Sequence, residues 1–317
     1  KINAKNFFQI LYSKKFEEYL FKFDLIHFHE LWSLGIIIFA IKSQRLGVPY
    51  IFTFHGVLNR WSLKKNYYMK KIFLEIFSKY IFKVSHALHF LSKKELEEAE
   101  NLSRYINQKS FILNNGIVIN NLNLKKSFNQ NNYLNLLFFG RIHPKKGIID
   151  LIYAFRFIKR DNLNIKLKIV GPNSEHAKYV ISKIQEFDLN DHISLHDPVY
   201  NHDEKTKIFQ EADFFVLPSY DEADSVALKE SISFGVPVII TDDCKFDDPE
   251  KLKIGFKINH NHEDIYKKIK KINFDKSTYM EMSNKCHKFA KNNFDLESIV
   301  NEYIELTKEI VSGVQYS

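Results

Sequence analysis

Short apolar runs alternate with amphipathic stretches along this chain. In the first part, residues 24–29 (DLIHFH), 50–54, 87–91 and 111–113 read as buried strands. Residues 32–44 read as a helix between the first two, closed by the turn Gly47-Val48-Pro49. A shorter helix is expected at 16–21. Residues 62–82 read as one long helix, with apolar side chains at 69, 72, 73, 76, 77 and 80. Ser92 and Glu95 form a capping box at the start of the next helix. The second part offers six strands, at 134–139, 165–170, 192–195, 214–217, 236–240 and 254–258, with helices between most of them. Strands alternating with helices predict parallel sheets. Asp295 opens a last helix with Leu296, Ile299, Val300, Tyr303 and Ile310 on one face. The polar, Asn-rich stretch 120–132 reads as a linker. The expected division is therefore 1–123, 124–294 and a terminal helix, 295–317.

The stretch 212–241, ADFFVLPSYDEADSVALKESISFGVPVIIT, is the most informative. It reads as a strand, a loop, a helix from Val226 closed by Gly235 and Pro237, and a second strand. The loop stands at the carboxyl end of a strand, where ligands bind in open α/β sheets. Glu222 lies on that loop and Glu230 lies eight residues on, in the helix. A carboxylate accepts two hydrogen bonds from vicinal hydroxyls, and a helix N-terminus offers N–H groups to an anion. A sugar nucleotide has a sugar, a diphosphate and a ribose to match. Two acids on a solvated helix start fit the same spacing, because Glu is favoured there anyway.

Composition narrows the class. The chain has 317 residues, 45% hydrophobic, with 29 Phe and 16 Tyr, enough for two real cores. No apolar run approaches the ~20 residues that span a bilayer. No signal peptide is visible. The chain opens on Lys1 without an initiating Met, which suits a fragment. Cys244 and Cys286 form neither a disulfide framework nor a metal cluster, which suits a reducing cytosol. The charge of +8 fits nucleic acid, anionic lipid or a phosphorylated substrate. No nucleic-acid recognition motif accompanies it.

Four short words occur in order along the chain: TFHG at Thr53–Gly56, LNNGI at Leu113–Ile117, GRIHPKKG at Gly140–Gly147 and the stretch around Glu222 and Glu230. Together they resemble the family 4 retaining glycosyltransferases, also described as glycosyl transferases group 1, and their bacterial surface-polysaccharide branch. The resemblance runs over nearly the whole chain. It implies the GT-B fold, with two Rossmann-like α/β domains facing a cleft, and a terminal helix that crosses back to the first domain. It implies transfer of a hexose from a nucleotide diphosphate sugar to a hydroxyl of a surface polysaccharide or lipid-linked oligosaccharide. Net retention by front-face attack is implied, with the diphosphate assisting deprotonation of the acceptor. No cofactor and no metal are implied.

The same resemblance assigns Glu222 to sugar hydroxyls and Glu230 to ribose hydroxyls. Arg141 and Lys146 match the cations on the donor diphosphate. Physics agrees, because a departing nucleoside diphosphate gathers negative charge that fixed cations stabilise. His55 matches the histidine beside the reacting carbon. Asp224, Ser225 and Val226 line the donor side, and Pro198 and Val199 lie near the base. Where the wider family reads E-G-F-G, this chain reads Glu222-Ala223-Asp224-Ser225, so Asp224 adds a charge beside the donor. Asp197-Pro198-Val199 likewise departs from Gly-Pro-Val.

The family's first domain normally opens with a further strand and a Gly-rich loop. Without them, the alternative function is a catalytically impaired nucleotide-sugar-binding protein. A cytoplasmic location follows, at the inner face of the membrane if the lysines at 64, 65, 70, 71, 79 and 83 meet anionic lipid. A buried helix with a basic outer face has the same pattern. His27 and His29 lack a third ligand at a usual spacing, so they read as core or cleft residues. Asp242-Asp243 and Asp247-Asp248 read as solvated loop pairs.

Overall fold

The computed structural model describes residues 14–119, 133–272 and 275–313. The expected linker at 120–132 lies outside the described residues. The chain forms two compact units, Lys1–Asn115 with Glu297–Ser317, and Gly116–Leu296. Each holds one parallel sheet.

The first sheet has the order β1-β2-β3-β4: Ile26–His29, Tyr50–Thr53, Ala87–Phe90 and Ser110–Ile112. Its register pairs Phe28 with Phe52 and Thr53 with His89. Strands β2 and β3 are buried throughout, as continuous apolar runs in a parallel sheet should be. Tyr50, Phe52, Phe54 and Phe90 fill the core on one face. Ile51, Ala87, Phe111 and Leu113 form a smaller cluster on the other. The last helix, Leu296–Ser312, packs on that cluster through Ile299, Tyr303, Leu306 and Ile310. Leu296 and Val300, expected on the same face, are instead exposed.

The long helix expected at 62–82 is broken. It forms Arg60–Lys64, then Tyr67–Ser78, then a π-helical turn Lys79–Lys83. Asn66 takes the left-handed conformation at φ 57° and interrupts the ladder. Asn is among the few residues that tolerate this, so nothing in the apolar period marks the break.

The second sheet has the order β10-β9-β8-β5-β6-β7. Its strands are β5 Leu134–Phe139, β6 Ile165–Val170, β7 Ile193–His196, β8 Phe214–Leu217, β9 Val238–Thr241 and β10 Gly255–Ile258. The chain builds outward from β5 to β7, then returns to β5's other edge with β8. The strand order therefore reverses between β5 and β8, the place where open α/β sheets open a crevice at their carboxyl ends. Among the described residues, no helix is long and apolar enough to cross a membrane.

Candidate active site

The loops after β5 and β8 meet at that reversal, and they are stitched together. Gly147 takes φ +66°, and a Cβ there would stand 2.0 Å from the Pro218 carbonyl oxygen. Only glycine permits both the backbone angle and the approach. The Tyr220 amide donates to the Lys145 carbonyl at 2.8 Å, and the Ser219 hydroxyl donates to the same oxygen at 3.1 Å. From below, the Thr241 hydroxyl donates to the Ser219 carbonyl, and the Glu222 amide donates to the Asp243 carbonyl at 2.8 Å.

Charge pairing completes the seam. Lys146 Nζ lies 2.6 Å from Glu222, with side chains 15% and 9% exposed. Lys145 lies 2.7 Å from Asp221, which Lys245 also approaches at 3.2 Å. Lys205, on the helix His202–Glu211, lies 2.7 Å from Glu230. Lys229 meets Asp224 with both side chains buried, so the charge expected beside the donor is engaged within the chain's own interior. Burial lowers the Lys229 pKa, and the adjacent Asp224 opposes that shift. Cys244 lies beneath the seam. Burial pushes its thiol up to about 12, with the Glu222 charge adding to the shift.

Ser225 caps the helix Val226–Ser233, accepting from the Leu228 amide. Val226 is exposed beside it. Arg141 is exposed, and no described residue pairs with its guanidinium. Pro198 and Val199 follow β7, half-buried, with Val199 packed against the core. The second unit thus brings together Lys146 and Glu222, while Glu230 is held by a different lysine. Among the described residues, no group of three or more His, Cys, Asp or Glu is placed to hold a metal ion.

In the first unit, His55 is exposed at the end of β2 with φ 50°. The buried Glu95 carboxylate holds its turn by accepting from the Gly56 amide at 2.5 Å and the Leu91 amide at 2.7 Å. His55 Nε2 lies 2.8 Å from His29 Nδ1, so one ring donates to the other.

Behind this pair runs a chain of hydrogen bonds whose direction can be deduced. His89 Nε2 faces the Leu113 carbonyl at 2.8 Å and must donate to it. Burial pushes the His89 pKa down to about 4, so the ring is neutral and its Nδ1 accepts from the Thr53 hydroxyl at 2.8 Å. That hydroxyl then accepts from His27 Nε2 at 2.5 Å. His27 is neutral too, pushed down to about 3 by burial and then by the neighbouring His29 charge. Its Nδ1 accepts from the Tyr303 hydroxyl at 2.6 Å.

Residues 120–293 match the family described as Glycosyl transferases group 1, and 3–121 match Glycosyltransferase Family 4. The chain belongs to the glycosyl transferases group 1 family. An uncharacterized glycosyltransferase of Methanocaldococcus jannaschii is 27% identical over 69% of this chain and 56% of its own length. A Bacillus subtilis protein, provisionally named a teichuronic acid biosynthesis glycosyltransferase, is 30% identical over 69% of this chain and 53% of its own. The match thus spans little more than half the length of either relative. The fold matches a solved structure of Anabaena HepE, in complex with UDP and glucose, with a TM-score of 0.73 and 15% identity over 93% of this chain and 80% of that one. This member of the group 1 family has the parallel α/β sheets of the GT-B class.

Lys145, Lys205, Asp221, Lys229 and Lys245 carry no signal of their own in the sequence; only their three-dimensional neighbours single them out.

Proposed function

We propose that this chain is a retaining, metal-independent hexosyltransferase using a nucleotide diphosphate sugar. The acceptor is a hydroxyl of a surface polysaccharide or a lipid-linked oligosaccharide. The observation that carries the reading is the Lys146–Glu222 pair at the β5–β8 reversal, one loop away from the capped helix Val226–Ser233. It sets a fixed cation beside a hydroxyl-accepting carboxylate, as a sugar diphosphate requires.

In this reading Arg141 and Lys146 hold the diphosphate, with the backbone at Ser225 and Val226 alongside. Glu222 accepts from sugar hydroxyls, and Glu230 from the ribose. Asp224, braced by Lys229, shapes the loop. Pro198 and Val199 flank the base, and His55 contacts the transferred sugar. The bond from the anomeric carbon to the diphosphate oxygen breaks. The acceptor oxygen bonds to that carbon on the same face, and its proton passes to a diphosphate oxygen. Stabilising the departing diphosphate by fixed cations lowers the barrier without reorganisation. The polysaccharide direction draws on the Bacillus subtilis relative's name, and the UDP direction on HepE's bound nucleotide.

A thermal-shift screen against UDP, GDP and ADP without added metal tests this. A nucleotide at 100 times its dissociation constant adds about 2.7 kcal/mol of stability. The shift is expected with one base and is lost in Arg141→Ala and Glu230→Ala. A shift unchanged in both variants overturns the site assignment.

A further inference from the structure

The helix Tyr67–Ser78 buries none of its residues completely, yet it is apolar on two sides. At 3.6 residues per turn, Phe73, Leu74 and Phe77 share one side. These three pack on the first unit's core, Phe73 edge-on to Trp32. They account for the core-facing stripe. The opposite side, an arc of about 100°, carries Tyr68, Met69, Ile72 and Ile76. These are 79%, 71%, 51% and 61% exposed. A surface helix normally keeps this side polar. Contiguous apolar exposure of this kind marks an interaction surface.

The surrounding charge identifies the partner. Between Arg60 and Lys83 the chain has seven basic residues and one acid, Glu75. Lys71 and Glu75 are exposed on the helix itself, and Lys64, Lys65 and Lys79 are exposed on the short segments that flank it. Lys70 is turned away, donating to the Ser62 carbonyl at 2.5 Å and lying over the Trp32 ring. Trp61 and Tyr67 are exposed at one end of the helix, the residue types that settle at a headgroup boundary. An exposed apolar face with exposed lysines on the helix and at both of its ends, and Trp and Tyr at one end, suits a helix lying in the plane of an anionic bilayer.

We infer that the helix Tyr67–Ser78 is a docking face for an anionic lipid surface, with Tyr68, Met69, Ile72 and Ile76 entering the interface and Lys65, Lys71 and Lys79 meeting the headgroups. The inference stands on this helix alone and does not depend on the donor site.

Cosedimentation of the full chain with vesicles tests it. Vesicles of phosphatidylglycerol and phosphatidylcholine in equal parts are compared with phosphatidylcholine alone, at low salt and in 0.5 M NaCl, where charge attraction is screened. Binding is expected to the anionic vesicles and to weaken with salt. Tyr68→Ser/Ile72→Ser/Ile76→Ser should lower partition at least tenfold. Lys65→Glu/Lys71→Glu/Lys79→Glu should remove the anionic preference, by about fivefold or more per lysine. All six side chains are largely exposed, so both variants should keep the parent's melting temperature. Equal partition to both vesicle types overturns the inference. So does undiminished binding by the serine variant. A parent dimer that dissociates in the serine variant, with vesicle binding retained, would assign the face to a second copy of the chain and overturn it as well.

Discussion

The directed hydrogen-bond chain in the first unit yields a sharp prediction at Thr53. Its hydroxyl accepts from His27 and donates to His89, at 2.5 and 2.8 Å, and the residue is 1% exposed. Thr53→Val keeps the shape and removes both roles. It strands a donor on the half-buried His27 Nε2 and an acceptor on the buried His89 Nδ1. Each stranded group costs about 1–3 kcal/mol, so a loss of about 4 kcal/mol is expected. That is a large share of the ~5–15 kcal/mol that holds a domain together. Thr53→Ser keeps the hydroxyl and forfeits one methyl, about 1 kcal/mol. Urea denaturation followed by tryptophan fluorescence is the assay, because Trp32 and Trp61 are the chain's two tryptophans and both belong to the first unit. A valine variant within 1 kcal/mol of the parent would refute the directed chain. So would a serine variant as unstable as the valine one.

Other predictions follow from the same geometry. His89 is held neutral from an ordinary 6.5 down to about 4. Below pH 6.5 the unfolded chain takes up a proton that the folded one refuses, so stability should fall between pH 6.5 and 4, by about 3 kcal/mol for this ring at about 1.4 kcal/mol per pH unit. A flat urea midpoint over that range would count against it. Gly147→Ala forces a Cβ into the Pro218 carbonyl and should cost more than about 1 kcal/mol or prevent folding of the second unit, read by calorimetry. Lys229→Met leaves the Asp224 carboxylate buried without its lysine and should destabilise by about 3 kcal/mol, most of it recovered in Lys229→Met/Asp224→Leu. Equal stability of the single and double variants would disprove the pairing.

The sheets were legible because strands buried on both faces must be apolar throughout, and Phe214–Leu217 or Tyr50–Thr53 admit little else. The words around Gly140 and Glu222 mark loops at strand ends, but the reversal at β5–β8 that brings them together leaves no trace in periodicity. The break at Asn66 was hidden, because the apolar spacing runs straight through it. The apolar positions 69, 72, 73, 76 and 77 form one stripe in the sequence; in the fold they are two, and only packing separates them. The Lys205–Glu230 pair was invisible because its members lie 25 residues apart on different helices. The histidine chain was equally hidden, for its members come from three strands and the final helix.

The central place of β5 has a kinetic consequence. Its partner on one side, β6, is made within a few tens of residues. Its partner on the other, β8, begins at Phe214, roughly 75 residues after β5 ends at Phe139. At synthesis rates of about 5–20 residues per second, one edge of β5 has no strand beside it for about 4–15 s. During that interval the nascent chain presents LNLLFF with unpaired backbone amides and carbonyls, a template for pairing with another copy. The ion pair that carries the proposed chemistry can form only after that edge has closed. Slower translation between β7 and β8 should therefore lower soluble yield without altering the specific activity of the chains that fold.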